Sequence, residues 1–287
     1  MKELKQGIFT GERALYAERE CRIVDSVFCD GESPLKESRD ISLLGCIFKW
    51  KYPIWYSKNI RAESTTLLET ARSGIWYTHG IEMTDCVIEA PKTFRRSSGI
   101  TLTDCVMPIA QETLWYCKDV KLKRVGLKGD YFGFSSENIE ADGLTIDGNY
   151  AFDGAKNIVI RNSRLISKDA FWNCENVTVY DSLIIGEYLA WNSKNVTFIN
   201  CTIESNQGLC YIEGLKLVDC KLINTDLCFE LVSDVDATVN SKIDSVKNPI
   251  SGKIVAEEIG TLIMDRKFVD PEKTEIVAAI GEVQNEV

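Results

Sequence analysis

Residues 156–166 read KNIVIRNSRLI, and the phrase returns as ENVTVYDSLII at 175–185, KNVTFINCTIE at 194–204 and EGLKLVDCKLI at 213–223. Upstream it is RDISLLGCIF (39–48), HGIEMTDCVI (79–88), SGITLTDCVM (98–107) and KDVKLKRVGL (118–127). An anchor residue opens each copy: Asp40, Asn59, Gly80, Gly99, Asp119, Asn138, Asn157, Asn176, Asn195, Gly214 and Asp234. Successive anchors lie 19, 21, 19, 20, 19, 19, 19, 19, 19 and 20 residues apart. A frame held over that many intervals is an internal repeat.

The chemistry inside the frame selects the architecture. One and three residues after the anchor the chain is apolar, as in Ile100 and Leu102 or Val177 and Val179. A period of two marks a strand with one buried face. The anchors are Asn, Asp or Gly, which tolerate a left-handed backbone at a bend. Six residues after the anchor a small residue recurs (Cys46, Cys86, Cys105, Ser163, Ser182, Cys201, Cys220). Eight after it an aliphatic or Phe returns. A second short strand precedes the anchor, with Ile54, Ile75, Phe94, Leu114, Phe152, Phe171 or Leu209 inward.

No part of the repeat can hold a helix between strands. Strands of one coil must then pair in parallel with their equivalents in the next, which predicts an all-β, right-handed parallel β-helix (β-solenoid) of about 12–13 coils of 19–21 residues. The expected layout is one solenoid domain over 1–264 and a C-terminal cap or tail over 265–287. Like side chains would stack in columns about 4.8 Å apart, with the cysteines in an interior column and Asn138, Asn157, Asn176 and Asn195 as a corner ladder.

Composition narrows the class. The chain has 287 residues with Lys+Arg 33 against Asp+Glu 43, a net charge of −10. That balance argues against nucleic-acid binding, which needs a basic face. No apolar run reaches the ~20 residues of a membrane helix, and MKELKQGIFTGERALY has no apolar signal core. The eleven cysteines form no C-x-x-C pair, and one histidine leaves no zinc spacing. Reduced thiols fit a cytoplasmic protein with no metal or cofactor. The sequons at Asn176, Asn195 and Asn200 are products of the repeat.

Four residues before the anchor the side chain faces solvent. Down the coils that position reads Lys36, Trp55, Trp76, Arg95, Trp115, Phe134, Asp153, Trp172, Trp191, Cys210 and Glu230, so five of six tryptophans share one column. The next position adds Tyr56, Tyr77, Tyr116 and Tyr211, with Arg96, Asn173 and Asn192. An outward aromatic stripe is unusual on a soluble chain. It reads as a platform for an oligosaccharide or other sugar ligand, with Trp55, Trp76, Arg95, Arg96, Trp115, Asp153, Trp172 and Trp191 as ligand-binding residues. The alternatives are a purely structural ladder between parallel strands or an interface with another copy of the chain. Catalytic candidates are the carboxylates Glu112, Asp130, Asp153 and Asp169, with Lys168 and Glu187 beside the last. Arg95 and Asp153, three coils apart at about 14 Å, are too distant for a direct pair. His79 reads as one more exposed polar residue.

The phrases GESPLKESRDISLLGCIFKWKYPIWYSKNI, EAPKTFRR, KDAFWNCENVTVYDSLI, EYLAWNSKNVTFINCTIES and VNSKIDSVKNPISG closely resemble a bacterial family known as a domain of unknown function. Its fold is similar to the right-handed parallel β-helix of the pectin-lyase-like superfamily, and the likeness runs from about Gly11 to Asp265. It implies the fold. The wider superfamily includes pectate lyases and polygalacturonases, whose chemistry would make this chain a polysaccharide lyase or glycoside hydrolase if it is an enzyme. The calcium-binding aspartates of the one and the aspartate cluster of the other have no match here, so the resemblance carries over no catalytic residue.

Overall fold

The computed structural model describes residues 2–284. The chain is a parallel β-solenoid of about 15 turns, nearly all β. Among the described residues the helical elements are the 3₁₀ turns Glu69–Ala71 and Pro271–Lys273. Two compact units, Met1–Asp147 and Gly148–Val287, each consist of stacked coils.

In the first unit six-residue strands recur at the predicted frame. Lys58–Glu63 pairs in parallel with His79–Thr84, which pairs with Ser98–Thr103, which pairs with Lys118–Lys123. Register holds like residues together, as in Ile60↔Ile81↔Ile100↔Val120. Two-residue strands such as Val87–Ile88 and Val106–Met107 form a second parallel ladder. Ile75–Trp76 and Phe94–Arg95 form a third, the expected short strand before the anchor. In the second unit Lys156–Arg161, Glu175–Tyr180, Lys194–Ile199 and Glu213–Ile223 continue the pattern.

The turn count exceeds the expected 12–13 because the frame continues where its anchors lose their signature. Lys2–Lys5 and Arg19–Val24 are coils before Asp40, with Glu20 taking the left-handed anchor conformation at φ 48°. At the other end Ser233–Lys247, Gly252–Ile263 and Thr274–Gln284 pair in parallel. The segment expected to cap the solenoid thus supplies its last described rung, and residues 285–287 lie outside the described residues.

Inward residues of each coil make the core. Phe28, Phe48, Ile81, Leu102, Phe171 and Phe198 are fully buried or nearly so. Each such side chain contributes about 1.5–3 kcal/mol of transfer free energy. Stacking adds to this: Phe28 and Phe48 lie 4.4 Å apart and 4° from parallel, and Phe152 and Phe171 lie 5.5 Å apart at 7°.

The anchors do adopt the left-handed conformation, with Asn59, Asp119, Asn138, Asn157, Asn176 and Asn195 between φ 53° and 60°. This backbone costs about 1–2 kcal/mol for ordinary residues and less for Asn and Asp. Their side chains form the predicted ladder. Asn59 Nδ2 donates to Asp40 Oδ1 (2.8 Å) and Asn138 Nδ2 to Asp119 Oδ1 (2.8 Å). In the second unit Asn176 donates to Asn157 (2.9 Å) and Asn195 to Asn176 (3.1 Å).

The cysteine column is interior as expected. All eleven cysteines are free and only Cys29 is not fully buried. The thiols donate to backbone: Cys105 Sγ lies 3.5 Å from Met83 O, Cys201 Sγ 3.5 Å from Val179 O and Cys220 Sγ 3.4 Å from Phe198 O. A second buried polar column runs two residues before the anchor, unread in the sequence. There Ser57 donates to Leu35 O (2.7 Å), Thr78 to Ile54 O (2.9 Å) and Ser193 to Phe171 O (2.7 Å). These bonds remove the 1–3 kcal/mol or so that an unpaired buried polar group costs.

Candidate functional site

In the first unit Trp55, Trp76, Arg95 and Trp115 form one outward column, each half-buried. Trp55 and Trp76 stack with ring centres 5.2 Å apart and planes 8° from parallel. The Arg95 guanidinium lies 4.6 Å from the ring centre of Trp76 and 4.6 Å from that of Trp115. Phe134 closes the far side of Trp115 at 5.0 Å. The four-residue stack is continuous: two indoles, a cation, a third indole. A guanidinium over an aromatic face gains about 0.5–2 kcal/mol, more as water is excluded.

Every indole N–H in the column is spent on the next coil. Trp55 Nε1 donates to Ser73 O (2.6 Å), Trp76 to Lys92 O (2.8 Å) and Trp115 to Tyr131 O (2.7 Å). In the second unit Trp172 donates to Tyr188 O (3.1 Å) and Trp191 to Gln207 O (2.6 Å). The acceptor residues share a left-handed backbone, between φ 46° and 56°. Trp172 and Trp191 stack at 6.1 Å and 16°. The indoles therefore lie edge-outward, with faces against neighbouring rungs.

Cys210, read as part of the outward column, is fully buried. Its thiol bonds Gly208 O at 3.3 Å and Leu227 O at 3.4 Å, so the backbone there turns the side chain inward. Tyr211 takes the place beside Trp191, edge-on at 4.8 Å and 71°.

The candidate carboxylates are separately engaged. Glu112 sits between two cations, Oε1 3.1 Å from Lys92 Nζ and Oε2 3.5 Å from Arg95 Nη2. The second contact is an ion pair off hydrogen-bond geometry, and Arg95 Nε and Nη2 are buried without hydrogen bonds. Asp130 is on the adjacent coil, its carbonyl accepting from Glu112 N–H at 2.9 Å. Asp153 accepts from Asn173 Nδ2 at 3.0 Å. Asp169 is buried with 2% exposure. Burial pushes its carboxyl above the ordinary range, Lys168 pulling the other way, and Glu187 and Asp153 adding to the rise. Lys168 and Glu187 do meet, at 3.2 Å. His79 is exposed, its Nδ1 2.8 Å from Ser98 Oγ. Among the described residues no group of three His, Cys, Asp or Glu is placed to hold a metal ion. Among the described residues no helix is long and apolar enough to cross a membrane.

One position outward of the tryptophans runs a second column that the sequence showed only as flanking residues: Glu37, Tyr56, Tyr77, Arg96 and Tyr116. Tyr56 and Tyr77 stack at 4.8 Å and 6°, and Arg96 lies 5.7 Å over the Tyr116 ring. Tyr56 and Tyr116 are 48% and 45% exposed, so this column, not the indoles, carries the free aromatic surface.

Two solved structures are similar to the chain. The A-module of mannuronan C-5 epimerase AlgE4 from Azotobacter vinelandii is 10% identical, with a TM-score of 0.30 over 99% of this chain and 88% of that one. HetL from Nostoc sp. strain PCC 7120, a pentapeptide repeat protein involved in heterocyst differentiation regulation, is 11% identical, with a TM-score of 0.28 over 79% and 94%. Neither likeness transfers a residue role. No curated protein matches the chain. A family profile does match, over residues 2–277, and with it the chain belongs to DUF3737, a family described as proteins of unknown function.

Proposed function

We propose that this protein is a non-catalytic scaffold that self-associates through the tyrosine–arginine column of its first unit, the tryptophan column serving as internal stiffening. The supporting observation is the use of the indoles: their faces meet neighbouring rungs and their N–H groups meet backbone carbonyls. A sugar platform needs free faces.

The outer column has self-complementary chemistry. Set two copies antiparallel about a two-fold axis at Tyr77, and rung n of one meets rung −n of the other. Tyr56 then faces the arginine at 96, Glu37 faces the phenol at 116, and Tyr77 faces itself. A cation meets a ring, a carboxylate meets an O–H, and like charges never meet. Tyrosine and arginine are the side chains that dominate interface energetics. The buried free thiols support a reducing, cytoplasmic setting.

Sedimentation velocity of the full chain tests the reading. A dimer that Arg96→Glu weakens by about tenfold or more is expected, from loss of a ring contact and gain of repulsion. A strict monomer, or a dimer indifferent to Arg96→Glu, would overturn it. Saturable quenching of tryptophan fluorescence by neutral or acidic oligosaccharides would instead support carbohydrate binding at Trp55, Trp76, Trp115, Trp172 and Trp191.

A further inference from the structure

Two residues after the anchor, the outward column of the first unit begins Glu3, Arg22, Ser42, Arg61 and Glu82 in strand register and continues through Thr101, Lys121 and Glu140. It is nearly a charge ladder. Arg22 Nη1 is 3.4 Å from Glu3 Oε1, and Arg61 Nε is 3.2 Å from Glu82 Oε2. Between the two arginines, where a carboxylate would complete the pairing, stands Ser42. Elsewhere the chain completes such ladders with its own carboxylates: Lys156 meets Glu175 at 2.8 Å and Lys194 meets Glu213 at 2.8 Å.

The short Ser42 side chain lies between two long arginines in a depression of about 500 Å³ whose lining also includes Asp40, Asn59 and Glu82. Each arginine pairs outward through one nitrogen, leaving N–H groups for the inner side, and their side chains are 48% and 76% exposed. Among the described residues the Ser42 hydroxyl has no hydrogen-bond partner. Asn59, on the rim, is held by its bond to Asp40. Two rungs separate the arginine Cα atoms by about 10 Å, a span two guanidinium arms can close upon one ion.

We propose that the gap at Ser42 binds a phosphate-class oxyanion, taking one fork from each arginine and the hydroxyl beneath. Guanidinium forks match tetrahedral oxyanions and form the stronger, charge-assisted class of hydrogen bond. Asp40 and Glu82 line the same depression and Glu3 pairs with Arg22, so the site has no local excess of positive charge, and selectivity rests on the directed N–H groups of the two forks rather than on the field.

Calorimetric titration of the full chain at fixed ionic strength provides the test, with inorganic phosphate and phenyl phosphate as probes. Saturable binding is expected, and Arg22→Gln or Arg61→Gln should each weaken it about tenfold, the value of one charge-assisted bond. The stronger probe tells a free ion from a phosphomonoester. Ser42→Glu, which completes the ladder from within, should abolish binding and raise the melting temperature. Absence of heat with both probes, or binding retained in both arginine variants, would overturn the proposal; unchanged wild-type melting in those variants confirms that they fold.

Discussion

Trp55 and Trp76 come from coils 21 residues apart, yet their rings lie 5.2 Å apart and 8° from parallel. That spacing is close to the distance between parallel strands, about 4.8 Å, so the solenoid pitch itself sets the stack. The ladder is a consequence of register, and its stability should respond accordingly.

Trp115→Ala removes one cover of the Arg95 guanidinium and leaves Tyr131 O without its indole donor. A loss of about 3 kcal/mol is expected, in the range for large aromatic truncations. Trp115→Phe keeps a ring but not the N–H, and should cost only about 1 kcal/mol. Thermal melting followed by near-ultraviolet circular dichroism separates the two; equal losses would remove the ring contacts from the account, and no loss in Trp115→Phe would remove the hydrogen bond.

The Glu112 contacts predict an asymmetry. Arg95→Leu exchanges two guanidinium–indole contacts for apolar packing against the same rings and removes two buried nitrogens without hydrogen bonds, so the losses and gains largely offset and stability should change by less than about 1 kcal/mol. Glu112→Gln leaves Lys92 and Arg95 adjacent without their anion and should destabilise by about 1–2 kcal/mol. The opposite order in melting temperature would contradict the geometry.

Asn176 combines φ 60° with two ladder bonds. Replacement by Ala should cost about 2 kcal/mol through backbone strain and lost bonds, and replacement by Gly less, since glycine accepts positive φ. Denaturant midpoints of the two variants measure the difference.

Burial pushes the thiols of Cys117 and Cys210 up to about 12. At pH 8 an aromatic disulfide reagent should therefore titrate Cys29 alone in the native chain and all eleven cysteines after unfolding in denaturant. Several reactive thiols in the native state would contradict the interior column.

Two carboxylate classes give opposite pH trends. Asp169 has a raised folded pKa, chiefly from burial, so the folded state binds its proton more tightly. Stability attributable to it falls as pH rises from the ordinary carboxylate range through the raised value. Asp169→Asn should therefore raise the melting temperature at pH 7–8 and have little effect near pH 3. Asp104 is held low by its hydrogen bonds to Arg124, and Glu175 by Lys156. Their contribution is present above the unfolded value and lost as pH falls through the folded one. Arg124→Gln should flatten that acid limb in melts taken stepwise downward from pH 6.

Much of this was legible in the chain itself. The nineteen-residue frame determined parallel strands, the interior cysteine column and the left-handed anchors, because each is a local property: side-chain alternation, residue size, or tolerance of positive φ. The frame was hardest to follow at Glu20 and beyond Asp234, where backbone pairing carries the coil without a signature residue. The periodicity also placed the tryptophans outside. Only the tertiary structure decided how they lie there. Whether an indole offers its face or its edge depends on the carbonyl that its N–H reaches and on the ring one rung away, and both belong to a different coil. The same holds for Ser42: an ordinary strand residue in sequence becomes a gap in a charge ladder only when register sets Arg22 and Arg61 on either side of it.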